Sequence, residues 1–425
     1  MARQMSARRK LARPAVMEAI DPPSAASLGF ARVTKAARPA KDYMDWRPCP
    51  ICGGERHRPL LEYEGFQFYT DAAVSKQVTI RQVQCLDCFG VFMNPAFNPK
   101  GFAVLFAEAG ASYGSTALRQ DEQLGWLGEH GLLKAGSVLL DIGCYEGSFL
   151  GKLPAGIAGI GVDIDGPAIE RARQRHRDHQ FVCADFESFE IGGPPDVITM
   201  FHVLEHLPRP VDVLRRLASL STPRTRLLVE VPVVENVIFG DACGFLTVQH
   251  LTHFSNGSLR NAMRAGGWRI LQEQPMPGYN GFRVIAEPAP RLRAQAEPGD
   301  AGLFLAYMGQ WYGALAALEQ RIRDMTAPRC ILRGGGLQTE YLLHVTSLFC
   351  GDRQFLIADN DPLKQGKSWR GIPILTSDCL KAADWGDTQL VLSSYSHQED
   401  MRDEARALGI PDAAVIALYD RIYRY

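Results

Sequence analysis

Two kinds of spacing in this chain can do chemistry. The first is Cys49-Pro-Ile-Cys52 paired with Cys85-Leu-Asp-Cys88. A Cys-x-x-Cys turn presents two thiolates to one ion, and two such turns complete a tetrahedral four-sulfur shell. Glycines close behind each second cysteine, Gly53 and Gly90, suit the turns. The expected ion is Zn2+, held by Cys49, Cys52, Cys85 and Cys88. Four protein ligands leave no position for water, so its role is structural: binding supplies folding energy to a small cap. Between the knuckles, Thr79-Ile-Arg-Gln-Val83 predicts a strand that returns the second knuckle to the first.

The second spacing is a series of acids at the ends of apolar runs. Val138-Leu-Leu runs into Asp141, and Gly143 and Gly147 then bracket a tight turn. A run from Ile157 ends in Asp163, and Gln180-Phe-Val-Cys183 is followed by Asp185 and Phe186. An acid at the first turn repels phosphate and attracts a cation, which argues against a pyrophosphate-binding Gly-x-Gly-x-x-Gly turn. At the second strand end a carboxylate can accept both hydroxyls of a ribose. At the third, Asp185 can take an adenine amino group with Phe186 beside the ring. Each acid alone could be a helix N-cap; three in succession point to a ligand.

The elements that position these acids are strand–turn–helix units. Ser148-Phe-Leu is predicted to open a helix after the glycine turn. Gly166-Pro-Ala-Ile predicts another, with proline in its first turn. Asp196–Phe201 and Arg226–Pro232 supply further strands. Such units make a doubly wound α/β sheet, whose ligands bind beyond the carboxyl ends of the strands. The series resembles class I S-adenosylmethionine-dependent methyltransferases. That resemblance implies that Asp141, Gly143 and Gly147 shape the cofactor turn, Asp163 binds ribose, and Asp185 with Phe186 holds adenine. His202 and Tyr113 are expected to line the cofactor pocket.

Methyl transfer is an in-line displacement at a sulfonium, so the protein mainly orients the acceptor and removes its proton. Histidine suits that task near neutral pH. Candidates are His206 in His202-Val-Leu-Glu-His206, and His250 and His253 in Gln249-His250-Leu-Thr-His253-Phe-Ser255. The bland role for each is pocket lining or a structural hydrogen bond.

The layout resembles the three-part sugar C-methyltransferases: a four-cysteine zinc domain, a class I core and a carboxyl-terminal Rossmann-like domain. His206 matches a histidine of that family, and Gln249 to Ser255 match its Glu-His-x-x-Tyr-Phe-Ser segment. Gln249 stands for the glutamate, His253 for the tyrosine, and His202 for an asparagine. Loss of that carboxylate weakens the case for transfer to carbon and leaves oxygen open. The expected acceptor is a sugar or nucleotide-sugar; a non-sugar metabolite, or a scaffold that binds cofactor without turnover, are the alternatives.

The expected boundaries are a disordered basic tail over 1–44, a zinc domain over 45–104 and a methyltransferase core over 105–295. A helical connector over 296–328 and a second, smaller Rossmann-like domain over 329–425 follow. The last carries Gly334-Gly335-Gly336 before a helix and an acidic turn at Asp359-Asn-Asp361, which could take a nucleotide or be purely structural.

Composition narrows the rest. A length of 425 residues suits several domains, and a net charge of -1 offers no global field for nucleic acid. No run of about 18 apolar residues appears, so no membrane span is predicted. Ten cysteines scattered over the chain fit a reducing, cytoplasmic setting better than a secreted disulfide scaffold. The oligomeric state is not legible.

Overall fold

Val138, Leu139 and Leu140 begin the strand around which the central sheet is built. In the computed structural model, which describes residues 28–34, 39–105, 117–186, 188–237, 240–276, 279–296 and 299–420, this sheet has seven strands. They are β1 (Val138–Ile142), β2 (Ala158–Asp163), β3 (Gln180–Cys183), β4 (Val197–Phe201), β5 (Arg226–Pro232), β6 (Trp268–Pro275) and β7 (Gly281–Pro288). Their order is β6-β7-β5-β4-β1-β2-β3. The first five are parallel, and β7 runs antiparallel between β5 and β6.

Strands covered on both faces read as continuous apolar runs, and Ile198, Met200, Leu227, Leu228 and Val229 are fully buried. The strand order turns back between β1 and β4. The crevice beyond their carboxyl ends is therefore the topological switch point, where doubly wound sheets bind ligands. Helices Gly166–Arg175 and Pro210–Ser219 both place proline in the first turn, where its missing N–H costs nothing.

The helix expected at Ser148-Phe-Leu is not formed. Only a single 3-10 turn, Leu150–Lys152, follows the glycines. Pro154 disfavours helical backbone at Leu153, which is extended, and the chain turns directly toward β2.

The cysteine segment forms a four-stranded antiparallel sheet in the order Thr252–His253, Val91–Met93, Gln77–Cys85 and His57–Gln67. The predicted Thr79–Val83 strand lies inside the third of these. The edge strand Thr252–His253 comes from the segment assigned to the core, and it pairs with Val91 and Phe92. The cap is thus completed by the same loop that carries the histidines.

A third, six-stranded sheet is built from Arg329–Arg333, Gln354–Ala358, Ile372–Leu375, Thr388–Leu392, Val415–Ala417 and the short antiparallel Ser368–Trp369. Residues 28–34, expected in the tail, lie against it: the N–H of Ala31 donates to the Phe355 carbonyl at 2.9 Å, and Leu28 is buried. Residues 1–27 and Tyr113 lie outside the described residues.

The connector is the 24-residue helix Asp300–Arg323. Phe304, Tyr307, Trp311, Leu315, Leu318 and Ile322 recur three or four residues apart and are buried. They join one core with Phe66 of the cap and Tyr341 of the last sheet's first helix, so cap, connector and final sheet pack as neighbours.

Candidate active site and metal centre

The glycine turn after β1 takes the backbone through positive φ three times, at Gly143 (77°), Tyr145 (49°) and Gly147 (74°). A Cβ on Gly143 would come within 2.3 Å of Val203, and one on Gly147 within 2.6 Å of Phe181. Both positions therefore need glycine for space as well as for conformation. Asp141 lies under this turn, buried, and accepts a hydrogen bond from the Thr199 hydroxyl of β4 at 2.7 Å. Burial pushes its carboxyl up to about 7, against the Thr199 bond and with a push from Asp163.

Asp163 closes β2 onto the same turn. One of its oxygens accepts the N–H of Tyr145 at 2.8 Å and the other that of Asp165 at 2.9 Å. Each carboxylate oxygen keeps capacity for a further donor. Burial raises its pKa. Asp185 is exposed in the loop after β3, beside the half-buried Phe186. The three acids thus stand at three adjacent strand ends, as the spacing predicts.

His202 follows β4 with φ 55°, a left-handed conformation costly for a non-glycine residue. Its Nε2 lies 2.9 Å from Glu230 and 2.6 Å from the Tyr279 hydroxyl, and its Nδ1 lies 3.4 Å from Glu205. Burial lowers its pKa, but Glu205 and Glu230 outweigh that and hold it at about 9. Glu230, fully buried, is held below the usual carboxylate range because His202 and Arg283 overcome its desolvation. His202 is thus a charged partner of two carboxylates.

His206 donates from Nδ1 to the Gln249 carbonyl at 2.9 Å. Its ring centroid lies 4.8 Å from that of His250, edge to face, and His250 lies 6.0 Å from His253. His250 is held well below its usual pKa by burial and by its histidine neighbours, so it is neutral. His253 is fully buried, and burial lowers it to about 3. It faces the interior of the cap junction, whereas His206 and His250 are half-buried.

The loop that carries these histidines is held from three sides. Arg47, two residues before the first cysteine, donates to the carbonyls of Leu251 at 2.8 Å and of Pro208. From the connector, Tyr307 accepts the N–H of Phe245, and Trp311 donates to the Asp241 carbonyl at 3.2 Å. From the last domain, the Tyr341 hydroxyl accepts the N–H of Val248 at 2.6 Å.

The four cysteines come together. Cys49 and Cys88 sulfurs are 3.6 Å apart, as are those of Cys52 and Cys85, and all four lie within 4.8 Å of one another. A tetrahedral zinc with bonds of about 2.3 Å sets sulfur–sulfur edges of about 3.8 Å. The set fits that ion. A cleft lined by Cys49, Cys52, Asp87 and Arg215 lies against these knuckles, and none of the strand-end acids lines it.

Three participants escaped the spacing argument. Glu205 was hidden inside the Val-Leu-Glu-His run. Glu230 is a lone charge within the apolar strand Leu-Leu-Val-Glu-Val, a signal that could have been used. Tyr279 carries no sequence signal.

Residues 122–273 match a family model described as "Methyltransferase domain", well under half of the chain. The ubiquinone biosynthesis O-methyltransferase of Bordetella parapertussis is 31% identical over 108 residues, covering 24% of this chain and 45% of that protein. Its counterpart in Burkholderia cenocepacia is 33% identical over 109 residues, covering 24% and 46%. The chain spans less than half the length of these curated relatives. Magnesium protoporphyrin IX methyltransferase from Synechocystis PCC 6803, solved with bound S-adenosylmethionine, is 20% identical, covering 46% of this chain and 100% of that one. Its TM-score of 0.34 is too low to carry an argument.

The doubly wound sheet, the acid-and-glycine turn at its switch point and the matched family model define a class I S-adenosylmethionine-dependent methyltransferase domain. No helix among the described residues is long and apolar enough to cross a membrane.

Proposed function

We propose that this chain transfers the methyl group of S-adenosylmethionine to a hydroxyl of a sugar or nucleotide-sugar acceptor. The observation that carries the reading is the pairing of His206 with His250, 4.8 Å between ring centroids, beside the carboxyl end of β4. Both are half-buried. In this reading Asp163 holds the ribose, Asp185 and Phe186 hold the adenine, and Gly143 and Gly147 let the backbone approach the cofactor. His202, fixed between Glu205 and Glu230, shapes the pocket wall. His206 and His250 stand where the acceptor hydroxyl must lose its proton, and His253 packs behind them. Gln249 supplies no carboxylate at the position where transfer to carbon would use one, which favours oxygen.

The sugar assignment rests on the three-part layout and on the match of His206 and of Gln249 to Ser255. The names of the curated relatives favour a second reading, oxygen transfer to a non-sugar metabolite. In both, the four cysteines hold a structural Zn2+ whose binding energy stabilises the cap.

The test is a mass-spectrometric screen of purified protein with S-adenosylmethionine. It would compare hydroxyl-bearing sugars, keto-deoxysugars, nucleotide-sugars and phenolic metabolites. Methylation of a sugar hydroxyl is expected. A product that loses a carbon-bound hydrogen would restore carbon transfer. Phenol-only turnover would establish the second reading. Cofactor binding with no product from any class would make the chain a scaffold.

A further inference from the structure

The histidine pair is one part of a tighter cluster. Glu205, His206 and His250 each bring a ligand atom within 4.8 Å of the others. Glu205 is only 1% exposed, yet neither of its carboxylate oxygens makes a hydrogen bond of ordinary geometry. The nearest ring nitrogens are His202 Nδ1 at 3.4 Å and His206 Nε2 at 3.9 Å. That carboxylate shares its partner His202 with Glu230 and keeps capacity for a further cation.

His206 is oriented for a ligand. Its Nδ1–H donates to the Gln249 carbonyl at 2.9 Å, which places the lone pair on Nε2, toward Glu205. A carbonyl behind the ring is the usual device that aims a metal-binding imidazole. The Nδ1 of His250 is likewise buried without a hydrogen-bond partner. Two imidazole nitrogens and one carboxylate oxygen make a donor set for borderline first-row ions such as Mn2+, Co2+ or Zn2+. Three protein ligands leave coordination positions open, as catalytic sites do. The four-sulfur set of the cap offers none.

We infer that Glu205, His206 and His250 form a second metal centre, which holds a divalent cation against the acceptor hydroxyl. This rests on the proposed oxygen transfer. A cation there lowers the proton affinity of the hydroxyl and places positive charge beside the nucleophile. In the transfer, a bond forms between the acceptor oxygen and the methyl carbon while the sulfur–methyl bond breaks. The sulfur keeps the electron pair and becomes a thioether, and the hydroxyl proton passes to water.

The experiment uses the full chain with its cysteine-bound zinc in place. Zinc is counted by elemental analysis, Mn2+ binding is followed by electron paramagnetic resonance, and S-adenosylmethionine affinity is measured by calorimetry. The expected result is one equivalent of Mn2+ beyond the zinc. Glu205→Gln and His250→Gln should each weaken Mn2+ binding by roughly 100-fold, at least the loss seen when outer-shell partners are removed. Zinc content and cofactor affinity should stay unchanged, which also shows that the variants fold; His206→Gln is the replacement if one does not. Wild-type protein that leaves Mn2+ and Co2+ free, or variants that bind Mn2+ like wild type, would overturn the inference. Cofactor binding without a second metal sinks this centre alone, whereas loss of cofactor binding by the wild type sinks the methyltransferase reading beneath it.

Discussion

Asp163 shows how one side chain serves both backbone and ligand. Its oxygens fix the N–H groups of Tyr145 and Asp165, so the glycine turn and the strand end are set before any ribose arrives. Asp163→Ala should weaken S-adenosylmethionine binding by about 1.5–3 kcal/mol, the range for a hydrogen bond to a charged group. Unchanged affinity in calorimetry would move the ribose elsewhere. His202 makes a second prediction at this scale. Its pKa is raised from 6.5 to about 9, so its pairing contributes full stability below pH 6.5, and that contribution is lost as pH rises toward 9. Glu230 is lowered from 4.5, so its contribution is present above pH 4.5 and lost in acid. The pair therefore stabilises most between these two values. Urea midpoints measured across pH should fall between pH 6.5 and 9, and His202→Asn should flatten that limb. An identical slope in the variant would reject the assignment.

At the scale of elements, the cap depends on its knuckles. Cys85 ends the cap's longest strand pair directly opposite His57, and the Cys49–Cys52 turn precedes His57, so the two knuckles meet at the open end of that pair. Cys49→Ser should release the metal and lower thermal stability, and a chelator should do the same to the wild type. Stoichiometric zinc retained by the variant would show a different ligand set. The cap in turn borrows Thr252–His253 from the histidine loop and sends Arg47 back to Leu251 and Pro208. Loss of the metal should therefore reach turnover as well as folding.

Across the whole molecule, the last domain bears on the active site through packing. Glu340, buried in the helix Leu337–Val345, accepts from Arg370 at 2.9 Å, Trp369 at 3.0 Å and the Gln67 N–H of the cap at 2.8 Å. Next to it, Tyr341 holds Val248, two residues before His250. The glycine turn that precedes this helix is closed internally: Asp359 accepts the N–H of Gly335 at 2.8 Å and a bond from Lys364 at 3.0 Å. Those contacts give Asp359 a structural occupation. Tyr341→Phe leaves the Val248 N–H unsatisfied at a cost of about 1–3 kcal/mol. Turnover should fall while cofactor affinity holds. A variant with wild-type turnover would show that the last domain does not position the loop.

The sequence by itself determined the parts whose signals are local. Apolar runs closed by Asp141, Asp163 and Asp185 specified parallel strands and a crevice, since strand period and turn chemistry act over a few residues. Paired Cys-x-x-Cys turns specified one four-sulfur cluster for the same reason. The absent helix after Gly147 was legible too, had Pro154 been weighed. The tertiary structure alone decided what depends on contacts distant in sequence. It placed His250 beside Glu205 and His206 and drew Thr252–His253 into the cap. It also set Tyr341 against the histidine loop. Such neighbours are fixed by how sheets and helices pack, and spacing along the chain carries no record of that.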